Sequence, residues 1–254
     1  MNWKQYLSCW GTVLRTIRRN YLGKRLEPEC LALKHFVGAE SICFDVGAAQ
    51  GRYTLVLSQL ATAGHVYSFE PGDYFFRVLR AIHTFYRLKN VTLVKAAAGK
   101  RSGKARLTIP LKKNRRLGYS LAHLKCNQQE EFLQQEVKVI SLDDFCQERG
   151  LERVDFIKCD VEGAELLVFQ GAQKIIEKSR PVILCELCQD YLTRFGATTE
   201  KVRQFFLGLG YLSYIWKDGL KAVTNLDGNG NFFFIHSDRK DRGPLGGRKV
   251  SKGR

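Results

Sequence analysis

The sequence predicts an α/β fold built on a parallel sheet, and three stretches support this prediction. Ser41–Gly51 is an apolar run that contains one acid, Asp45, and then turns through two glycines. Arg52–Ala61 follows with the composition and periodicity of a helix, and Val154–Cys159 is a second apolar run that ends in acids. A strand, a glycine turn and a helix in this order open nucleotide-binding α/β folds, because a backbone without bulky side chains lets a ligand approach the helix N-terminus.

The remaining elements follow from apolar periodicity and turn residues. Further helices are predicted over Pro28–Phe36, Asp73–Arg87 and Thr198–Leu209, and a short one is predicted to begin at Ser141, its cap. Further strands or extended segments are predicted at His65–Phe69, Val91–Ala97, Ser102–Pro110, Val137–Ile140, Pro181–Leu187, Tyr211–Trp216 and Phe232–His236. The last two are separated by a glycine-rich turn and are expected to pair antiparallel.

Length and composition favour one domain with extended ends. The chain has 254 residues, of which 44% are hydrophobic, and its interior shows no repeat and no Pro/Ser-rich linker. We assign residues 1–37 to an N-terminal amphipathic helical extension, 38–237 to the central domain and 238–254 to a basic tail that we expect to be disordered. No apolar run reaches the roughly 20 residues that span a bilayer, and the N-terminus lacks the pattern of a signal peptide.

The cysteines favour a reducing compartment. The eight cysteines are scattered along the chain, and several fall inside predicted strands, as buried thiols do. Cys185 and Cys188 form a C-x-x-C pair, for which a coincidence at a strand end is favoured over a zinc site because no second pair lies nearby. We therefore expect a cytoplasmic protein, with peripheral contact at a membrane as the alternative.

Basic charge is concentrated in three regions of a chain whose formal net charge is +16. Residues 1–25 hold six bases and no acid, residues 74–129 hold fourteen bases and no acid, and the tail is basic as well. Such a distribution favours anionic partners. It makes nucleic acid an alternative partner, although no aromatic interleaving or known RNA-binding module supports it.

One apolar stripe runs along the predicted N-terminal helix, with bases mainly off the stripe. A membrane interface could hold such a helix, but packing on its own domain or on a partner subunit is favoured. The stripe consists of Trp3, Leu7, Trp10, Leu14, Ile17 and Tyr21.

Acids follow two of the predicted strands. Glu70 ends the second strand, some twenty residues after the glycine turn, where a carboxylate can accept both hydroxyls of a ribose. Asp160, Glu162 and Glu165 follow Val154–Cys159, at the edge where α/β sheets place their ligands. Helix-dipole complementarity accounts for some of these acids, but a core does not need three of them.

Five blocks together resemble the FkbM family of S-adenosylmethionine-dependent methyltransferases. They are F-D-V-G-A-A-Q-G-R-Y-T (44–54), V-Y-S-F-E-P (66–71), S-L-D-D-F (141–145), D-F-I-K-C-D-V-E-G-A-E (155–165) and P-V-I-L-C-E (181–186). The resemblance implies a class I methyltransferase fold, Rossmann-like, with a seven-stranded, mostly parallel sheet, flanking helices and a C-terminal antiparallel strand pair. It also implies O-methylation of a sugar or natural-product hydroxyl. The family often has Asn where this chain has Ala49.

The resemblance assigns roles to seven residues. Gly47, Ala48 and Gly51 would form the turn against the methionine part of S-adenosylmethionine, Glu70 would bind its ribose, and Asp45 would orient the turn or reach the amino group through water. Asp160 and Glu162 are the candidates for orienting the acceptor hydroxyl and removing its proton.

The acceptor that we expect is a small molecule or glycan, anionic in one variant of this prediction. A divalent metal shared by Asp160, Glu162 or Glu186 is an alternative that we do not favour, because carboxylates also suit substrate hydroxyls directly. The basic loop Lys112–Gly118 with Tyr119 and Ser120 is expected to shape the substrate entrance. The other function classes that stay open are an RNA methyltransferase and a non-catalytic cofactor-binding protein at a membrane.

Overall fold

A twisted sheet of eight strands forms the centre of the computed structural model, which describes residues 11–15, 27–110, 132–226 and 228–240. The order of strands across this sheet is β10-β9-β11-β8-β7-β1-β2-β3. The strands are β1 (Ile42–Val46), β2 (His65–Phe69), β3 (Val91–Val94), β7 (Phe156–Cys159), β8 (Val182–Leu187), β9 (Tyr211–Trp216), β10 (Leu220–Ala222) and β11 (Gly230–His236). The five strands from β3 to β8 are parallel, and β11, β9 and β10 pair antiparallel.

Helices connect the strands and cover both faces of the sheet. They are α1 (Pro28–Ala32), α2 (Arg52–Leu60), α3 (Asp73–Tyr86), α4 (Leu142–Arg149), α5 (Glu165–Gln170), α6 (Gln173–Ser179), α7 (Gln189–Thr193), α8 (Thr199–Gly208) and α9 (Ser237–Lys240). Ser141 caps α4 as predicted, since its side chain accepts a hydrogen bond from the Asp144 backbone N–H. None of these described helices is long and apolar enough to cross a bilayer.

A second, three-stranded sheet stands beside the first, in the order β4-β6-β5. It consists of β4 (Ala97–Ala98), β5 (Gly103–Pro110) and β6 (Phe132–Ile140). The β5–β6 pair is antiparallel. Residues 111–131 connect these two strands, so the predicted entrance loop with Tyr119 and Ser120 lies outside the described residues.

The predicted fold class is confirmed. The seven strands and their antiparallel C-terminal pair are present, and β10 adds an eighth strand at one edge. The strands β2 and β3 lie on one side of β1, whereas β7 and β8 lie on the other. The strand order therefore reverses between β1 and β7, and a ligand site is expected at their carboxyl ends.

The segment before β1 is part of the packed interior. Cys30, Leu33 and Phe36 are buried, and they pack with Cys43 of β1 and Leu57 of α2. Phe36 also contacts the Phe233 ring, with 5.1 Å between the ring centroids. This segment fixes Glu27, which immediately precedes α1, near the carboxyl edge of the sheet.

The described part of the predicted N-terminal helix is residues 11–15, which are helical. Val13 is buried among Tyr74, Val78 and Ile82 of α3, whereas Leu14 is 64% exposed. Leu14, which belongs to the predicted apolar stripe, therefore does not pack on the domain, whereas the adjacent Val13 does. The other residues of the stripe lie outside the described part.

The described cysteines lie mostly in the interior, as buried thiols in strands were expected to do. The six described cysteines are free, and five of them are buried. Cys185 lies in β8 and Cys188 follows that strand, so their C-x-x-C spacing marks the end of a strand.

The aromatic cluster under α8 generates a stability prediction. Phe206 is fully buried and stacks on Phe234 with 4.1 Å between ring centroids. We expect Phe206→Ala to lower the free energy of unfolding by about 3–5 kcal/mol, measured by urea denaturation. The adjacent Leu207 is 44% exposed, so Leu207→Ala should change it by less than about 1 kcal/mol. Equal effects of the two substitutions would contradict this packing.

Candidate active site

The loop after β1 forms a tight backbone cradle against the loop after β7. The N–H groups of Gly47 and Ala48 donate to the Phe69 carbonyl at 3.0 and 2.9 Å, and Gly51 N–H donates to the Ala48 carbonyl at 2.7 Å. Gly47 has φ +81°, and a Cβ built there would lie 1.7 Å from the Asp160 carbonyl oxygen. Glycine is therefore required at this position on two grounds, its conformation and its contact.

Glu70 is fixed from the next strand along. Its carboxylate accepts hydrogen bonds from Ala49 N–H at 2.9 Å and from Gly72 N–H at 2.8 Å. Burial raises the pKa of Glu70 to about 7, although both hydrogen bonds oppose the rise. Each carboxylate oxygen keeps a further lone pair, so the group can still accept hydrogen bonds from the two hydroxyls of a ribose.

Ala49 adopts a left-handed conformation, with φ +45°. This region is unfavourable for alanine by roughly 1–2 kcal/mol and is better tolerated by asparagine. The conformation turns Ala49 N–H toward the Glu70 carboxylate. The chain thus keeps the backbone contact from position 49 to Glu70 but lacks the Asn side chain that the FkbM family often has there.

A largely apolar cavity of about 250 Å³ opens beside Glu70. Its walls include the segment Ala96–Ala98 together with Leu107 and Ile109 of β5. A largely apolar cavity next to a carboxylate fits the base and the ribose of a nucleoside. The contribution of β5 was not predicted, although the alternation of Ala105, Leu107 and Ile109 is a signal that could have indicated it.

A second cavity, of about 180 Å³, lies on the other side of Gly47. It shares Gly47, Ala49, Gln50 and Asp160 with the first cavity, so the two are neighbouring compartments. Its own lining is polar and consists mainly of charged side chains: Glu27, Asp45, Arg52, Tyr53, Lys158 and Glu186, with Ala48.

Asp45 lies beneath the cradle and is buried. Its carboxylate accepts a hydrogen bond from the Thr54 hydroxyl at 2.6 Å, and Thr54 also lies 2.9 Å from the Ser68 hydroxyl. Burial raises the pKa of Asp45 to about 6, while the Thr54 hydrogen bond and Lys158 oppose this. In this arrangement Asp45 ties the first turn of α2 to β1, which orients the cradle.

Four acids surround the carboxyl ends of β7 and β8. Burial, followed by the charges of Asp160, Glu186 and Glu165, raises the pKa of Glu162 to about 8. Burial and the charge of the neighbouring Asp160 raise the pKa of Glu186 to about 7. Near neutral pH Glu162 therefore holds a proton, and Glu186 is partly protonated.

Glu165 has a structural role in the same loop. It is buried, and its Oε1 accepts hydrogen bonds from Gly163 N–H at 3.0 Å and Val161 N–H at 3.2 Å. It thereby fixes the loop that carries Asp160 and Glu162. Glu162 has φ +57°, another left-handed conformation, and lines the first cavity together with Asp160.

The predicted site residues thus meet at one edge of the sheet. Asp45, Gly47, Ala48 and Asp160 line the second cavity, and Gly47, Glu70, Asp160 and Glu162 line the first. Gly51 lies behind the loop, where its Cβ would be 2.6 Å from Leu79 Cδ1. The side chains missed by sequence reasoning are Lys158, Glu27 and Tyr53. A charged residue inside the buried run V-D-F-I-K-C was the available signal for Lys158.

One ion pair and one hydrogen bond hold Glu27 at the second cavity. Arg52 forms an ion pair with Glu27 Oε1, and the Tyr53 hydroxyl donates to Glu27 Oε2 at 2.7 Å. Among the described residues, no group of three or more His, Cys, Asp or Glu side chains is arranged to hold a metal ion.

A sheet whose strand order reverses between β1 and β7, with a glycine turn after β1 and a buried acid after β2, is the fold of a class I S-adenosylmethionine-dependent methyltransferase. The family model of the methyltransferase FkbM domain matches residues 45–213. The chain belongs to this family. The residues present fit the cofactor: the cradle excludes a Cβ, Glu70 faces an apolar cavity, and a polar compartment adjoins it.

Several solved structures align with this chain, and the first of them shares its fold. The methyltransferase FkbM from Methylobacillus flagellatus KT aligns with a TM-score of 0.53 and 15% identity over 83% of this chain, which spans 50% of that chain. An rRNA methylase from Streptococcus thermophilus aligns with a TM-score of 0.49 and 12% identity, over 83% of this chain and 96% of that one. An O-methyltransferase from Bacillus cereus in complex with SAH aligns with a TM-score of 0.47 and 15% identity, over 89% of each chain. No curated protein matches the sequence.

The cradle contact generates a prediction with a matched control. We expect Gly47→Ala to weaken S-adenosylmethionine binding at least about tenfold, because the new Cβ must displace the Asp160 backbone. Gly196 has a similar φ of +69° but nothing within 4 Å of its Cβ position, so Gly196→Ala introduces the same backbone strain without the contact. Isothermal titration calorimetry should find near-normal affinity for Gly196→Ala. Equal losses in both variants would contradict the cradle.

The raised pKa of Glu162 generates a second prediction, for the protein without cofactor. The pKa of Glu162 is raised from its ordinary value of 4.5 to about 8 in the folded protein. The group therefore destabilises the fold as pH rises between these values, because the unfolded chain releases the proton first. We expect Glu162→Gln to lose less stability than the unsubstituted protein between pH 5 and pH 8 in thermal unfolding.

The control for this titration is Glu148→Gln, on the exposed part of α4. Its pH dependence should parallel that of the unsubstituted protein. Parallel curves for Glu162→Gln as well would show that Glu162 ionises normally.

Proposed function

We propose that the chain transfers a methyl group from S-adenosylmethionine to a hydroxyl of a sugar, glycan or related small molecule. The observation that supports this most is the position of Asp160, which lines both cavities. A carboxylate at the junction can reach an acceptor in one compartment while the cofactor lies across both. Polar side chains dominate the second cavity, and their carboxylates can accept hydrogen bonds from a hydroxylated molecule.

Binding of the cofactor is assigned to the backbone and to one carboxylate. Gly47, Ala48 and Gly51 shape the cradle for its methionine part, and Glu70 accepts the ribose hydroxyls. Asp45 holds the cradle in place through Thr54 and, through water, would reach the amino group. When bound, S-adenosylmethionine supplies an electrophilic methyl group on a sulfonium centre.

The acidic corner is assigned to the acceptor hydroxyl. Asp160 orients this hydroxyl and accepts its proton as the oxygen–methyl bond forms and the methyl–sulfur bond breaks, which leaves a neutral thioether. Glu162, whose pKa is raised to about 8, holds its proton at neutral pH and donates a hydrogen bond that fixes the acceptor. The two residues therefore have complementary parts, a proton acceptor and a donor that positions the substrate.

Replacement of these two acids tests the assignment. We expect Asp160→Asn, which removes the proton acceptor, and Glu162→Ala, which removes the hydrogen-bond donor, each to lower methyl transfer by about 100-fold or more while S-adenosylmethionine binding stays detectable by calorimetry. The assay supplies labelled S-adenosylmethionine to a cell extract and separates small molecules, glycans and nucleic acids before counting. Glu148→Gln, a substitution of an exposed acid, should transfer at the unsubstituted rate.

Two outcomes would contradict the proposal. Unchanged turnover in either variant would remove that residue from the mechanism. Label that is recovered in RNA or DNA, and a cofactor-dependent affinity for nucleic acid that falls steeply with salt, would replace the small-molecule acceptor with a nucleic acid.

A further inference from the structure

Lys158 is a charged side chain at a fully buried position of the central sheet. It lies in β7, is 2% exposed, and is paired in register with Asp45 of β1 and Leu184 of β8. Removing an ammonium group from water costs several kcal/mol unless it is compensated by partners. An apolar residue would pack at this position without that cost, so the charge itself needs an explanation.

The contacts of Lys158 direct its charge toward the second cavity. Its Nζ lies 3.9 Å from Asp160 Oδ2 and 5.0 Å from the centroid of the Tyr53 ring, and it donates to the Cys159 carbonyl at 3.4 Å. The cavity lining includes Lys158, Asp160 and Tyr53 together. The contact with the Tyr53 ring helps to hold the ammonium group in one position.

Titratable groups face Lys158 from each packed element. They are Cys30 on α1, Asp45 on β1, Tyr53 on α2, Cys159 on its own strand, Asp160 after it, and Cys185 and Glu186 on β8. Burial alone would lower the pKa of Lys158, but the charge of Asp160 and the groups on β8 outweigh it, and the pKa is raised. Lys158 is therefore positively charged at neutral pH, and it lies among several carboxyl groups.

We propose that Lys158 is a positioning residue that acts through Asp160: its ammonium group holds the Asp160 carboxylate in a fixed orientation at the junction of the two cavities. This inference rests on the proposed function, in which Asp160 accepts the acceptor's proton. Three acids lie close together there, Asp160, Glu162 and Glu186, and the neighbouring cation orients the one that it contacts. The salt-bridge geometry selects Asp160, since Lys158 contacts its Oδ2.

A double-mutant cycle tests this coupling. Lys158→Met keeps the length and apolar stem of the side chain without its charge, and it is combined with Asp160→Asn. The readout is the initial rate of labelled-methyl transfer to the small-molecule fraction of a cell extract at saturating S-adenosylmethionine. We expect Lys158→Met alone to lower this rate about tenfold or more while the KM for S-adenosylmethionine changes less than about threefold. In the Asp160→Asn background the same change should lower the rate less than about twofold.

Controls separate this positioning role from a general effect on folding. Lys174→Met on the exposed side of α6 should leave the rate unchanged, and Lys158→Arg, which keeps the charge, should retain more activity than Lys158→Met. If thermal unfolding shows that Lys158→Met is not folded, Lys158→Gln takes its place in the same cycle.

The outcomes distinguish the two proposals. Independent effects, in which Lys158→Met lowers the rate equally in both backgrounds, overturn the positioning role and leave Asp160 as the proposed base. A fully active Asp160→Asn overturns both, because Lys158 would then have no catalytic group to act through. A rise in the KM for S-adenosylmethionine without a fall in the saturated rate also overturns the positioning role, since it assigns Lys158 to cofactor binding.

Discussion

The contact between the loop after β1 and the loop after β7 is the constraint on which the site depends. Asp160 N–H donates to the Val46 carbonyl at 2.9 Å, and the absent Cβ of Gly47 leaves room for the Asp160 carbonyl. Any larger residue at position 47 would separate the two loops. Because they are in contact, the cradle, the acid after β7 and the two cavities share a single wall, and a ligand bound on one strand end is within reach of the residues on the next.

The same edge collects carboxyl groups whose ionisation the fold disfavours. The pKa values of Asp45, Glu70 and Glu186 are raised to between about 6 and 7, with burial as the main cause. Each such group lowers the stability of the folded protein at neutral pH relative to acid pH. This cost is accepted at a binding edge because hydroxyl and ammonium groups of ligands can stabilise the charged forms, whereas a purely structural edge would be apolar. The burial and raised pKa values of these acids therefore indicate a binding function more strongly than the number of acids does.

The fold and the cofactor side could be predicted from the sequence, because both depend on local patterns. Gly47 and Glu70 sit at strand ends, and each strand is a separate apolar run with its own turn. The second cavity could not be predicted in the same way. Lys158 and Glu27 are 131 positions apart in the chain and line one compartment because of how β7 and α1 pack, which no local period reveals. The β5 strand was predicted, but its place beside the first cavity follows from pairing with β6.

The two compartments divide recognition between backbone and side chains. The first is bounded mainly by main-chain turns and apolar residues such as those of Ala96–Ala98, so substitutions away from its three acids alter shape more than charge. The second is bounded by charged side chains, one of which, Glu27, comes from the segment before β1 and is held by Arg52 and Tyr53 at the start of α2. If the acceptor binds in the second cavity, as proposed, altering Glu27 or Glu186 would change the acceptor without disturbing the cradle. Since α1 packs on the same core as β1, even that change would leave the sheet edge in place.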